Sequence, residues 1–456
     1  MMSERRGVQL SLYTPSLDEI VESDEFLRKL DGLVDFSFIY DELRAYYCAD
    51  NGRYSTDPVV IVKSLLIAFL YGINSERRLE WELQYNALYR WFIGVGFHER
   101  VPDHSTISQL RRRKFNDADL FKKLFMRVLT LCAEKGLVSG RLLITDSTHV
   151  KAHASKNSKI TVEIERRTAE FFEQLDAYEA IERERLGLPE ITRKPPAAKT
   201  ATQTQSMTDP EAGWLSRPCK PNGFHYLSHQ TFDAENGVIV DVSVTPGNAN
   251  DCVPYIEQID RVVDALYDMG VEAEAVCGDS AYDNALIHKE IEDRNLAFYT
   301  PKKGTSNVAK VEYKRDDFAY DKESDTFTCP HGENLTLRTT QRSENGVFRE
   351  YSSKTRVCNG CPHRDKCLAP SQKSRRITVN IFQDIVDKHH AAEGSAVYND
   401  ALRKRQIWCE GTFAAQKAQH NLKSLFRRGL RAAQDHCLLS ACAINLKRLI
   451  MCTAGA

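Results

Sequence analysis

The chain has 456 residues, with Lys+Arg 62 against Asp+Glu 63, a formal net charge of -1, 42% hydrophobic and 27% charged residues. That length suits about two to four domains and that composition a packed core, which excludes a mini-domain, a collagen-like fibre and a wholly disordered chain. Near-zero net charge excludes a whole-molecule field for nucleic acid or membrane, so a polyanion must be met by local patches. Met1 to Pro15 carries two arginines with no apolar stretch behind them, which predicts no secretion. Thirteen cysteines are then expected to be reduced thiols or metal ligands in a cytoplasmic protein.

Helical spacing starts at Asp57-Pro58, an N-cap followed by a first-turn proline, and runs through Tyr71. The apolar run Val59 to Leu70 contains Lys63 and falls short of the ~20 residues that cross a bilayer. A buried helix is predicted, with no membrane partner. A second amphipathic stretch spans Arg78 to Phe92. Pro102 to Lys114 opens cap-rich and ends in Arg111, Arg112, Arg113 and Lys114, placed either against the negative end of a helix dipole or toward DNA phosphates. Residues 1–135 thus read as an all-α, helix-turn-helix-like DNA-binding domain.

At Leu142 to Asp146 a short apolar strand is predicted to end on a carboxylate, opening an α/β domain over 136–301. Within it, 151–206 reads as an insertion. Its helix is charged, with an apolar stripe of Ile164, Phe171, Leu175, Tyr178 and Ile181, and a mobile Pro/Ala/Thr/Gln-rich linker follows from Arg193 to Ser206. Phe224 to Thr231 and Gly237 to Val244 predict antiparallel strands joined at Asn236-Gly237. Asp251 to Gly270 has helical spacing, and the apolar run Ala273 to Gly278 ends on Asp279. Residues 302–376 are polar and Lys/Arg-rich and form a Cys-rich insertion. Residues 377–456 return to helix, with Glu410 the single acid between 401 and 431 among Arg403, Lys404, Arg405, Lys417, Lys423, Arg427, Arg428 and Arg431.

Asp146, Asp279 and Glu410, separated by 133 and 131 residues, supply hard oxygen ligands suited to magnesium or manganese. Two such ions can activate a nucleophile and stabilise a leaving oxygen in phosphoryl displacement. Cys358, Cys361 and Cys367, with Cys329 upstream, could supply four thiolates to a structural zinc, and His331 or His363 could replace one of them. An iron–sulfur cluster or metal-free thiols are the other readings. The remaining cysteines, Cys409 included, read as small buried hydrophobes. His104, His149 and His229 read as structural and Asp209 as a turn residue. With no G-x-x-x-x-G-K-[ST] or G-x-G-x-x-G element, no nucleotide cofactor is expected.

Thr145-Asp146-Ser147-Thr148, Gly278-Asp279-Ser280-Ala281-Tyr282 and Arg405 to Phe413 leading to Lys417 resemble the three blocks of insertion-sequence DDE transposases with an RNase H-like catalytic domain. Asp103 to Arg113, Pro246 to Asp251, Arg428-Gly429-Leu430 and Asn445-Leu446 extend the similarity from about residue 15 to 450. A related subgroup would have arginine and tyrosine where this chain has Gln406 and Arg403.

The resemblance implies an α/β fold: an RNase H-like mixed sheet with helices, plus the helical N-terminal domain and the small Cys-rich insertion. It implies that Asp146, Asp279 and Glu410 are catalytic acids binding two Mg2+ or Mn2+ ions. The implied activity is cleavage at element ends followed by 3′-hydroxyl strand transfer into target DNA. Arg405 and Lys417 would contact DNA and Tyr282 would stack near the scissile strand, while Arg111 to Lys114, Arg427 and Arg428 would hold phosphates. The implied partners are double-stranded terminal inverted repeats and target DNA, bound by a homodimer in the nucleoid. A structure-specific nuclease on the same fold and an inactive DNA-binding relic are the alternatives.

Overall fold

The computed structural model describes residues 15–48, 55–167, 169–193, 199–216, 222–304 and 311–453. The core sheet contains five strands that matter here: β1 (Leu143–Lys151), β2 (Gly223–Asp233), β3 (Ile239–Pro246), β4 (Ala275–Cys277) and β5 (Ala297–Tyr299). Their order is β3-β2-β1-β4-β5. β1, β2 and β3 pair antiparallel, and β4 and β5 run parallel to β1. This is the RNase H-like arrangement that the resemblance implies. The β2–β3 turn works because Gly237 takes φ +70, which a side chain resists, and because a Cβ there would lie 2.2 Å from the Trp408 ring.

β1 does not stop at Asp146 as expected. Pairing with β2 continues through Lys151↔His225, so Asp146 sits mid-strand. The parallel partner is shorter, however: β4 pairs only with Leu143 and Ile144, which leaves Asp146 just beyond the paired stretch and Asp279 just beyond the end of β4.

The chain's last helix, Leu430–Thr453, is buried along most of its length, polar Asp435, His436 and Asn445 included. Asn445 on it bonds both backbone groups of Ile239 in β3, at 2.9 and 2.7 Å. The N-terminal helices Pro58–Leu70 and Leu120–Glu134 pack on this same helix, so one apolar core runs from Leu27 to Ile450 across the expected boundary at 135. Asp57 caps Pro58–Leu70 as anticipated. The stretch Arg78 to Phe92 is two helices, Glu76–Tyr85 and Ala87–Ile93, because Asn86 caps the second. No described helix is long and apolar enough to cross a membrane.

The first insertion departs from expectation. Ile164 lies on a strand, Lys159–Arg167, and the expected linker contributes its partner, Lys199–Ser206; residues 194–198 of that linker lie outside the described residues. The helix Ala169–Arg185 buries Leu175 but leaves Ile181 exposed. It lies on the second insertion, whose five-stranded sheet extends to Asn380 rather than 376. Buried Arg349 bonds Glu182 at 2.6 Å and Arg183 bonds Thr340 at 2.9 Å, fastening the two insertions together.

Candidate active site

Asp146 and Asp279 lie side by side because β1 and β4 are parallel neighbours. Arg405 bridges them: its Nη2 donates to Asp146 Oδ2 at 2.9 Å and lies 3.9 Å from Asp279 Oδ2. Arg405 closes the helix Ala396–Arg405, which runs into a π-helical turn, Gln406–Glu410. In an α-helix a residue five places on points well away, but i→i+5 bonding brings it back over the first. The π turn starts directly after Arg405 and ends on Glu410, which is exposed, while Cys409 beside it is buried. Trp408 anchors the turn, its Nε1 donating to Ala234 O at 2.9 Å and Arg448 stacking 5.3 Å from its ring.

Burial pushes the Asp146 carboxyl up to about 6; Arg405 pulls against this, while Asp279 and Asp251 add to it. Asp251 joins the group through Ser147 Oγ, which donates to its Oδ1 at 2.7 Å. In the sequence Asp251 stands in a turn at the start of a helical stretch, and only the three-dimensional fold brings its negative charge beside Asp146. Asp279 is held by the Ala281 amide at 2.8 Å on Oδ1. Asp146, Asp279 and Glu410 do not bring their oxygens within 4.8 Å of one another, the guanidinium standing between the two aspartates. The donor set is all carboxylate oxygen with an excess of negative charge in a partly buried cleft, which fits a hard divalent cation.

Other expected contacts fall differently. Tyr282 is buried and packs on Tyr255 with ring centroids 4.5 Å apart, so it cannot stack on a base from the surface. Arg111 is likewise internal, donating to Glu76 at 3.0 Å, and cannot reach a phosphate. Arg112 and Arg113 are exposed, and Lys114 lies over the Tyr47 ring. Lys417 Nζ donates to Thr148 Oγ1 at 2.5 Å, two residues along β1 from Asp146, so it belongs to the cleft. Arg427 faces buried Asp435 at 3.9 Å, whereas Arg428 is exposed and bonds His153 O.

Cys329, Cys358, Cys361 and Cys367 converge on one small cavity also lined by His331 and Ser353. Cys358 Sγ lies 2.9 Å from Ser353 Oγ, and the Glu333 amide donates to Cys329 Sγ at 3.4 Å. The four thiols line one cavity, one of them already accepting an amide, but no three of their sulfurs lie within 4.8 Å of one another; the donor type suits a soft or borderline ion. Cys132, Cys277, Cys409, Cys437 and Cys442 are buried, but Cys48 and Cys452 are exposed and Cys252 half-buried, contrary to the uniform expectation. His104, His149 and His229 bond Glu80, Gly247 O and Thr245 Oγ1, and Asp209 accepts from Tyr226 and the Gly429 amide.

An RNase H-like sheet with carboxylates beyond two neighbouring strands is an arrangement suited to metal-assisted phosphoryl transfer. Two family profiles match the chain, Transposase domain (DUF772) over residues 15–113 and Transposase DDE domain over 328–450. The chain is a DDE transposase. No curated protein matches it in sequence. Among solved structures, the piggyBac transposase synaptic complex with hairpin DNA is 10% identical, covering 94% of this chain and 76% of that one at TM-score 0.37. The Mos1 transposase paired-end complex with left transposon end is 11% identical, covering 57% and 64% at TM-score 0.17.

Proposed function

We propose that this transposase cuts double-stranded DNA at the terminal inverted repeats of a mobile element and joins the freed 3′-hydroxyl to target DNA. Asp146, Asp279 and Glu410 are its catalytic acids. The observation that carries the reading is Arg405 bridging Asp146 and Asp279 at 2.9 and 3.9 Å, with Glu410 one π turn further on. A guanidinium there neutralises carboxylates that repel each other, as a cation in the same cleft would.

Mg2+ or Mn2+, when bound, supplies the Lewis acidity and charge neutralisation that phosphoryl displacement needs. Asp146 and Asp279 would hold it from the sheet and Glu410 from the helix. With an ion bound, Arg405, which bonds Asp146 and lies near Asp279, would be available to the DNA backbone. Lys417, donating to Thr148 beside Asp146, offers a second cation to a phosphate in the cleft. Arg112, Arg113, Lys114 and Arg428 hold flanking phosphates, giving an affinity that falls steeply with salt. The cysteine cluster would hold a structural zinc, which would let a polar insertion fold around a small core. Pairing of two element ends calls for a homodimer, working on nucleoid DNA in the cytoplasm.

Labelled element ends incubated with a target plasmid in Mg2+ or Mn2+ test the reading. Joined product is expected. Cutting without joining would make the chain a nuclease, and binding without cutting would make it a relic.

A further inference from the structure

Beside the catalytic sheet, four titratable side chains form a line that the proposed chemistry does not use. Asp283 Oδ1 faces His288 Nε2 at 2.9 Å, His288 Nδ1 faces His389 Nδ1 at 2.9 Å, and His389 Nε2 faces Glu292 Oε2 at 3.1 Å. Each of these three gaps needs one hydrogen. Two carboxylates bring none, and two neutral imidazoles bring only one each. The line is therefore one positive charge short.

A fifth group shows where that charge belongs. His390 Nε2 lies 3.1 Å from the same Asp283 Oδ1 but out of hydrogen-bonding alignment, and this buried atom has no hydrogen-bond partner. An extra proton on the line would fill the third gap and leave His390 Nε2 as it is. A cation placed between Asp283 Oδ1, His288 Nε2 and His390 Nε2 resolves both defects. The Nδ1 hydrogen of His288 then points to His389, whose Nε2 hydrogen points to Glu292, and each gap has what it needs. The three inward atoms already lie within 4.8 Å of one another. Tetrahedral zinc would hold imidazole nitrogen and carboxylate oxygen about 3.3–3.5 Å apart, so the two gaps to Asp283, at 2.9 and 3.1 Å, would open by only some tenths of an ångström. The His288–His389–Glu292 line becomes the outer support that fixes a ligating imidazole's tautomer. The other oxygen of Asp283 is held by the Lys303 amide at 2.6 Å.

We infer that Asp283, His288 and His390 form a binding site for a zinc-like divalent ion, separate from both the carboxylate cleft and the cysteine cluster. Two nitrogens and one oxygen select zinc or a neighbouring transition metal over magnesium. The site ties the helix Ala285–Asp293, which follows the Asp279 loop, to the helix Gln383–His390, where the chain leaves the Cys-rich insertion on its way to Arg405 and Glu410. The ion would fix the insertion against the loop that carries Asp279.

The test is zinc content of the full chain after loading and removal of excess metal. His390→Gln is expected to lose one equivalent per chain while keeping its circular dichroism spectrum. Cys361→Ser/Cys367→Ser should retain that equivalent. X-ray absorption of the zinc it keeps should show nitrogen and oxygen neighbours at about 2.0–2.2 Å and no sulfur at about 2.3 Å. Should His390→Gln fail to fold, Asp283→Asn carries the same prediction. Zinc content unchanged in the folded histidine or aspartate variant overturns the site, as does residual zinc bound by sulfur alone. If stability depends on pH but no zinc binds outside the cysteines, the missing charge is a proton and the inference fails.

Discussion

Replacing Asp146 with asparagine should abolish activity and stabilise the fold. The Asp146 carboxyl titrates at about 6 in the folded chain against 3.8 for an ordinary aspartate, and burial is the main cause. A raised acid favours the folded state when protonated. Its ionisation therefore costs nothing below about pH 4, costs progressively more between about pH 4 and 6, and reaches its full value above that. A shift of about two pH units at 1.36 kcal/mol each gives about 3 kcal/mol. Asp146→Asn carries the uncharged form at every pH. It should be about 3 kcal/mol more stable than the native chain at pH 8 and equal to it near pH 4. Urea denaturation followed by tryptophan fluorescence across that range measures the gap. Mg2+ or Mn2+ at tenfold its dissociation constant should return about 1.4 kcal/mol to the native chain and nothing to the variant. A variant less stable than the native chain at pH 8, or a gap that does not shrink on acidification, would refute the reasoning.

Gly237→Ala should destabilise by about 2–4 kcal/mol, since a Cβ at φ +70 costs about 1 and also drives into the Trp408 ring 2.2 Å away; an unchanged thermal midpoint would contradict the anchoring role given to Trp408. Arg111→Ala should cost about 3 kcal/mol by stranding Glu76, and its loss of DNA binding should follow unfolding. Arg112→Ala and Arg113→Ala, by contrast, should leave the midpoint alone and each reduce the slope of log affinity against log salt by about one. Cys367→Ser, or chelation of zinc, should expose residues 311–380 to limited proteolysis while the core sheet resists; uniform digestion would count against a local structural ion.

Much of the core could be read from sequence because short apolar strands, the Asn236-Gly237 turn and the Asp57-Pro58 cap are local signals. The proposed acids were singled out through the blocks around them, and of these the fold sets Asp146 and Asp279 about one Arg405 side chain. What escaped depended on partners far along the chain. Asp146 lies mid-strand because β2 outlasts β4, which no pattern within Leu142 to Lys151 reveals. Arg111 stands in a run of four cations, yet only the packed position of Glu76 tells that its guanidinium is internal. The strand Lys199–Ser206 is polar throughout and owes its form to pairing with Lys159–Arg167 rather than to an apolar alternation. Asp251 and the Asp283–His288–His390 group come together only when β4, β5 and the returning helix are in place.

In the proposed mechanism Asp146, Asp279 and Glu410 act together on one phosphodiester. This is tested most directly by Asp146→Asn, Asp279→Asn and Glu410→Gln on labelled element ends in Mn2+, with end binding measured on the same preparations. All three variants should bind the ends and none should cut them. A Glu410→Gln variant that cuts and joins like the native chain would remove the helix from the site and contradict the mechanism.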